Sequence, residues 1–294
     1  MHISLSIISV NYNGLKDTLE MLESIYAHII DMEYEVIVVD NGSVIDESEL
    51  IKAKYSQVIV LRSEENRGFA GGNNLGIDIA KGKYLLLLNN DTVLTDNSLS
   101  HLIKRAESSD NIAVVSPKIC FHFGEQRIQF AGYTSLSSVT LRNRLIGFGE
   151  LDKGQYDKAT ITPYVHGAAM LIKREVIEKV GLMPELFFLY YEEIDWSANI
   201  KKHGYELWYE PLCRVLHKES QSTGQDSPLK LYYLTRNRLL FAWRNLGKIE
   251  RVLSILYQVC IANNIKLFNC LRRGQKKHLS AIIKGEIDFF SMKY

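Results

Sequence analysis

Three small groups of carboxylates and amides stand out by where they fall along the chain. Asn89-Asn90-Asp91 follows directly on "YLLLL", Tyr84 to Leu88, a run that reads as a strand buried on both faces. A carboxylate delivered by such a strand needs an edge, a cation or a helix to cap. Capping is the plainer reading, because the stretch from Leu99 onward has helical spacing. The other reading is metal chemistry: Asn89 stands two residues before Asp91, as in a short acidic metal motif whose first acid has become an amide. Oxygen donors of this kind suit Mg²⁺ or Mn²⁺, which bind through one or two carboxylates together with substrate phosphates. Asp40 ends a second strand-like run, "YEVIVVD". Glu192, Glu193 and Asp195 crowd the start of a helical stretch, where one of them could serve as a general base. Favourable interaction with the helix dipole accounts for part of that cluster. His217 could complete a metal shell or touch phosphate, although a lone histidine is more often structural.

The glycine-rich stretch "NRGFAGGNN", Asn66 to Asn74, invites a phosphate-loop reading. It matches neither GxxxxGK[ST] nor GxGxxG. Glycines ahead of a helix still permit close approach of backbone to a ligand, and they equally make ordinary turns.

The elements that must position these groups alternate. "ISLSIISVNYN", "YEVIVVDNGS", "QVIVLRS" and "KYLLLLNND" read as strands, each running into Asn, Asp, Ser or Gly. Helical stretches separate them, including Leu15, Leu19, Leu22, Ile25 and Ile29 at helical spacing and a helix through Ala80. That alternation predicts an α/β fold with a doubly wound, mainly parallel sheet. Ligands on such sheets bind at the carboxyl ends of the strands, where the Asn/Asp/Gly clusters lie. Residues 117–165 are irregular and read as hairpins with a mobile loop. Residues 229–271 read as one or two long helices.

The 294 residues are 46% hydrophobic and 23% charged, which excludes a disordered chain and leaves one large domain or two smaller ones. No window of 18 uninterrupted apolar residues occurs, and the N-terminus runs straight into a strand, so neither a signal peptide nor a clear transmembrane helix is expected. Four scattered cysteines without CxxC pairs suggest a reduced, cytoplasmic setting. The net charge of +1 hides a split: residues 229–294 hold 13 Lys/Arg against 3 Asp/Glu, so the remainder is net acidic. Such a split marks either a module that meets an anionic surface or a solvated basic face.

Seven segments in order, "SIISVNYNG", "EVIVVDNGSVID", "ENRGFAGGNNLGI", "YLLLLNNDTVL", "GAAMLIKREVIEKVG", "ELFFLYYEEIDW" and "VLHKESQS", resemble glycosyltransferase family 2, and most of all its rhamnosyltransferase-like branch. The likeness covers about residues 3–245. It implies a GT-A fold, a nucleotide-diphosphate sugar donor (dTDP- or UDP-sugar), a divalent cation (Mg²⁺ or Mn²⁺), and transfer with inversion. By position, Asn11, Tyr12 and Asn13 match the first nucleotide-contacting loop, and Asp40 the acid that meets base or ribose. Asn66, Gly68, Asn73 and Asn74 match the second donor loop. Asn89, Asn90 and Asp91 match the DxD-type motif, with Asp91 as metal ligand and His217 as the late histidine near metal and diphosphate. Glu193 falls at the proposed base beside Glu192, where family members often read Glu-Asp. Arg236 and Arg238 match a basic pair. With the charge split, the expected division is a nucleotide-sugar-binding and catalytic domain over 1–228 and a basic helical extension over 229–294. The implied acceptor is a glycan or lipid-linked hydroxyl in cell-surface polysaccharide synthesis, with rhamnose the preferred sugar and no nucleic acid partner. A nucleotidyltransferase on a related fold would want a basic glycine-rich first loop, which "VNYNG" is not. A sugar-nucleotide-binding protein without activity is the remaining rival.

The stretch 253–271, "LSILYQVCIANNIKLFNCL", is almost continuously apolar and nearly long enough to span a bilayer, yet Asn263, Asn264 and Lys266 oppose insertion. It reads as an interfacial helix giving peripheral contact with the inner face of the cell membrane, or as a helix packed on the catalytic domain.

Overall fold

The computed structural model describes residues 3–218 and 227–292. Its first half follows the expected alternation: β1 (Leu5–Asn11), α1 (Leu15–His28), β2 (Tyr34–Asn41), α2 (Glu47–Lys54), β3 (Ile59–Ser63), α3 (Gly68–Ile79) and β4 (Tyr84–Leu88). The middle is more irregular, with β5 (Thr92–Leu94), α4 (Ser100–Glu107), β6 (Ile112–Phe121), β7 (Ile128–Phe130) and β8 (Thr160–Ile161). Then come β9 (Ala169–Lys173), α5 (Arg174–Val180), α6 (Glu192–Lys202) and β10 (Glu206–His217). Four C-terminal helices follow: α7 (Pro228–Asn245), α8 (Lys248–Tyr257), α9 (Asn263–Arg272) and α10 (Lys276–Ser291).

The strands join one sheet in the order β3-β2-β1-β4-β9-β6-β10-β5, with β7 beside β6 and β8 beside β10. The β3-β2-β1-β4 half is parallel throughout, as is the β6–β10 pair, whereas β9, β5, β7 and β8 run antiparallel to their neighbours. The leucine run shows how the layers form. Leu86 and Leu88 face a core shared with α1, α2 and α4, and Leu85 and Leu87 face one shared with α3, α5 and α6. None of the four is more than 2% exposed. Burying each contributes roughly 1.5–3 kcal/mol, which offsets the cost of ending the strand in polar residues.

The glycines of "NRGFAGGNN", and Gly76 just beyond it, turn out to serve a turn and close packing. A Cβ on Gly72 would lie 2.8 Å from Val10 and one on Gly76 2.4 Å from Ile8, so α3 can lie against β1 only without side chains there. Gly68 has φ +72°, and a Cβ there would run into the Phe188 carbonyl. The C-terminal helices are attached through a third core, in which Leu239, Leu240, Phe241 and Phe289 pack on Phe187, Tyr191 and Leu141. All four cysteines are free thiols.

Candidate active site

Register brings the first two motifs to one sheet edge. Asn11 pairs with Asp40, and Ile8 with Leu87, which sets Asn11 level with Asn90. A hydrogen-bond chain then joins them: Asn90 Nδ2 donates to Thr18 Oγ1 (3.0 Å), Thr18 Oγ1 to Asn11 Oδ1 (2.7 Å), and Asn11 Nδ2 to Asp40 Oδ1 (3.1 Å). Asp40 is fully buried and also accepts from Ser43 Oγ and Arg62. Its carboxylate is therefore a hub that orients its neighbours, and the groups it leaves at the surface are Tyr12, 40% exposed, and Asn13. Asn13 has φ +50° and is pinned through its N–H to Ser43 and its Oδ1 to the Val44 N–H. Sequence reasoning passed over Ser43 and Glu47, whose carboxylate accepts from Asn11 Nδ2 and the Gly14 N–H.

The second loop is built by a residue that sequence reasoning also missed. Asn41 accepts from the Arg67 N–H and donates to the Gly68 carbonyl and to Asn66 Oδ1, which itself caps the Gly68 N–H. Asn73 and Asn74, expected on the donor side, are buried and occupied elsewhere. Asn73 donates to the Phe69 carbonyl, and Asn74 bonds both backbone groups of Met183 and the Glu185 carboxylate. Asn73 steadies the first turn of α3, and Asn74 ties that helix to the 183–188 segment.

Asp91 does not cap a helix, since α4 starts only at Ser100. Its Oδ1 lies 3.1 Å from His217 Nε2, and both side chains are mostly buried. His217 Nδ1 meets Gln129 Oε1 at 2.8 Å. That oxygen can only accept, so Nδ1 carries the ring proton and, in a neutral ring, the Nε2 lone pair faces Asp91. Two acceptors at this distance repel unless a proton or a cation lies between them, so the donor set fits a divalent ion held by Asp91 and His217. Among the described residues no group of three or more His, Cys, Asp or Glu is placed to hold a metal. Two protein ligands plus diphosphate oxygens and water is the pattern that Mg²⁺ favours. Asn89 ties this end to the "HGAA" turn, its N–H donating to the Ala168 carbonyl at 2.9 Å.

From His217 a row of rings leads towards the helix carrying the acids. His166 meets His217 edge to face at 6.1 Å and stacks on Tyr133 at 6.4 Å. Burial, with His217 beside it, pushes His166 down to about 3, so it is neutral; its Nδ1 accepts from the Ala168 N–H. Burial pushes the Tyr133 phenol upward, as does the charge of nearby Glu193. Glu193 borders Gly167, whose missing Cβ would stand 3.9 Å from the carboxylate and 3.6 Å from Phe69. Burial raises Glu193 to about 7, opposed by the N–H groups at the start of α6. Glu192 is 1% exposed and is raised by burial and then by Glu193, with its Oε1 unpartnered among the described residues. Two adjacent carboxyls thus divide: Glu192 keeps its proton, while Glu193 exchanges one near neutral pH.

Asp195 separates from that pair. It is buried, with both oxygens gripped by Arg244 (3.1 and 3.2 Å) and Asn245 on Oδ1, so it anchors α6 to α7 and is not free to act as a base. The approach to Glu192 is strained: Phe188, Tyr190 and Tyr191 have φ of +66°, +67° and +79°. Such conformations cost of order 1–3 kcal/mol each and persist only where the surroundings hold them. Asn237, another residue missed from sequence, donates to the carbonyls of Phe187, Leu189 and Tyr190 at 2.8–2.9 Å. Arg236 holds the carbonyls of Leu186 and Phe187, and Arg238 donates to the Tyr191 hydroxyl. The basic pair is therefore a clamp on the segment that presents the acids. The tail of "VLHKESQS" lies outside the described residues.

The profile of Glycosyl transferase family 2 matches residues 6–181. A low-salt glycan biosynthesis hexosyltransferase, Agl10 of Haloferax volcanii, is 28% identical over 242 residues, 80% of this chain and 74% of its own length. An N-acetylglucosaminyl-diphospho-decaprenol L-rhamnosyltransferase of Mycobacterium tuberculosis is 25% identical over 122 residues, 40% of each chain. Among solved structures, GalNAc-T7 with UDP, GalNAc and Mn²⁺ superposes with a TM-score of 0.64 at 18% identity, covering 90% of this chain and 57% of that one. The mannosyltransferase PcManGT of Pyrobaculum calidifontis, in complex with GDP-Man and Mn²⁺, gives 0.61 at 14% identity, covering 99% and 88%. These likenesses establish a GT-A-type α/β fold, and the profile match extends over more than half of the residues. The chain belongs to glycosyltransferase family 2.

Proposed function

We propose that this glycosyltransferase is inverting and metal-dependent, moving a sugar from a nucleoside-diphosphate sugar to a hydroxyl of a glycan or lipid-linked acceptor in cell-surface polysaccharide synthesis. Rhamnose from a dTDP donor is the preferred sugar. The observation that carries the reading is the division of labour across the row of rings: an Asp91–His217 pair suited to a cation at one end, and a carboxylate that ionises near neutral pH at the other. A bound Mg²⁺ or Mn²⁺ would neutralise the leaving diphosphate. Glu193 takes the acceptor hydroxyl proton, the oxygen attacks the anomeric carbon, and the bond from that carbon to the diphosphate oxygen breaks on the opposite face. Glu192, holding its own proton, spares Glu193 a second negative neighbour.

The test is release of nucleoside diphosphate from a panel of dTDP-, UDP- and GDP-sugars, with Mn²⁺ and with EDTA. Release of one nucleotide that requires the metal supports the reading. Donor binding without release under every condition would instead make the chain a sugar-nucleotide-binding protein.

A further inference from the structure

Two of the C-terminal helices leave a long apolar stripe uncovered. α8 runs into α9 through a π-helical turn, Gln258–Ala262, with helical backbone at both junctions, so 248–272 is one continuous rod. At 1.5 Å per residue it is about 37 Å long. The side of this rod against the protein mixes apolar and polar residues: Ile255 and Val259 pack on the third core, while Ser254, Gln258 and Asn263 are at most 2% exposed. Gln258 donates to the Thr140 carbonyl and Asn263 to the Glu286 carboxylate. The side facing away carries Ile249, Val252, Leu253, Leu256, Ile265 and Phe268 at exposures of 49–74%. Apolar residues recur there every three or four positions through both helices. The exposed apolar positions continue across the π turn, Ile261 and Ile265 following Leu253 and Leu256. Amphipathic helices of a water-soluble domain put the apolar stripe inward. Here water would meet it, over an area far larger than scattered surface residues explain.

The charges around the stripe say what covers it. Between Lys248 and Lys284 the chain holds eight Lys/Arg and one acid, Glu250. Arg251 lies towards one end, and Arg272, Arg273, Lys276 and Lys277 cluster at the other. Burial and the charges of Arg238 and Arg142 push Lys266 down to about 8, so a third group of cations crowds against α9. A second copy of the chain laid on this face would bring two such basic rims together. A bilayer surface with anionic headgroups supplies both an apolar layer for Ile, Leu and Phe and negative charge for the rim. Among the described residues no helix is long and apolar enough to cross a membrane, so the contact would be lateral.

We propose that the outward face of the 248–272 rod, rimmed by Arg251, Arg272, Arg273, Lys276 and Lys277, docks the protein on an anionic lipid bilayer surface, with the rod lying in the interface. None of these residues is assigned to the donor site, so failure of the proposal would leave the reading of Asp91 and Glu193 untouched.

The experiment is vesicle co-sedimentation of the full chain with phosphatidylcholine alone and with phosphatidylcholine–phosphatidylglycerol mixtures, at low and high salt. The same runs are made with the combined variant Ile265→Ser, Phe268→Ser, Leu271→Ser, whose three positions are exposed and support no core. The wild type should partition to the anionic vesicles, less so at high salt, and the variant should bind at least about tenfold more weakly. Melting temperature and nucleotide binding measured without vesicles should be the same for both, which separates lost docking from lost folding. Equal partition of variant and wild type would overturn the proposal. So would a wild type that ignores anionic vesicles while sedimenting as a dimer that the variant dissolves, since a second copy would then occupy the face.

Discussion

Replacing Glu193 with glutamine removes the proton acceptor while keeping the shape of the side chain, and the structure sets the size of two separate effects. A positioned base is worth roughly 10²–10⁴-fold in rate, so sugar transfer should fall by that factor while donor binding is retained. The second effect is on stability. Burial holds the Glu193 carboxyl at about 7 against an ordinary 4.5. Below the ordinary value the group is protonated in both folded and unfolded chains and costs nothing. As pH rises from about 4.5 to 7 the unfolded chain ionises first, so the wild type loses stability across that window and stays lower above it. The shift corresponds to at most about 3 kcal/mol. Glu193→Gln should therefore melt higher than wild type at pH 8 and at nearly the same temperature at pH 4.5. The assay is transfer rate together with melting temperature, each followed from pH 4.5 to 8.5, and the wild-type rate should rise through about pH 7. Normal transfer by the variant, or a variant that melts lower at pH 8, would refute the reasoning.

Three further substitutions probe the scaffold. Asp195→Asn should cost about 1–3 kcal/mol in urea unfolding by leaving Arg244 without its carboxylate, and a fully stable variant that cannot transfer would return Asp195 to the list of bases. Asn237→Ala withdraws the two amide N–H donors that three carbonyls of the strained approach to Glu192 share. It should lose about 1–3 kcal/mol of stability and lower transfer more than donor binding, as read by calorimetry and kinetics. Gly68→Ala places a Cβ against the Phe188 carbonyl at positive φ, and a loss of more than about 2 kcal/mol is expected in the melting curve.

Much of the scaffold was legible because buried strands announce themselves. The leucine run, the "YEVIVVD" run and the polar residue that ends each predicted both the layered α/β fold and the sheet edge at which Asn11, Asp40 and Asn90 meet. What periodicity could not show was where strands reverse: β9 enters between β4 and β6 antiparallel to both, a fact of tertiary pairing with no local signature. Residue chemistry alone also could not separate three neighbouring acids. Asp195 differs from Glu193 only in pointing at Arg244 and Asn245 from α7, about fifty residues further along the chain. Asn73 and Asn74 likewise resemble donor contacts until their amides are seen bonded to backbone. Asn237 sat between the two arginines that drew attention, and an uncharged amide flanked by guanidinium groups carries little signal. Gln129 lay within a region read only as hairpins and loop and His166 directly after it, where no repeat of hydrophobic spacing placed them beside His217.

The central claim is that Asp91 and His217 form the cation and diphosphate end of a nucleotide-sugar site. Calorimetric titration of dTDP, UDP and GDP into the full chain, with Mn²⁺ and then with EDTA, tests it most directly when repeated on Asp91→Ala. The account predicts that one of the nucleotides binds in Mn²⁺, that chelation abolishes the binding, and that Asp91→Ala, still folded, does not bind it in either buffer. Binding of equal strength with Mn²⁺ and with EDTA, or binding by Asp91→Ala that still depends on the metal, would contradict it.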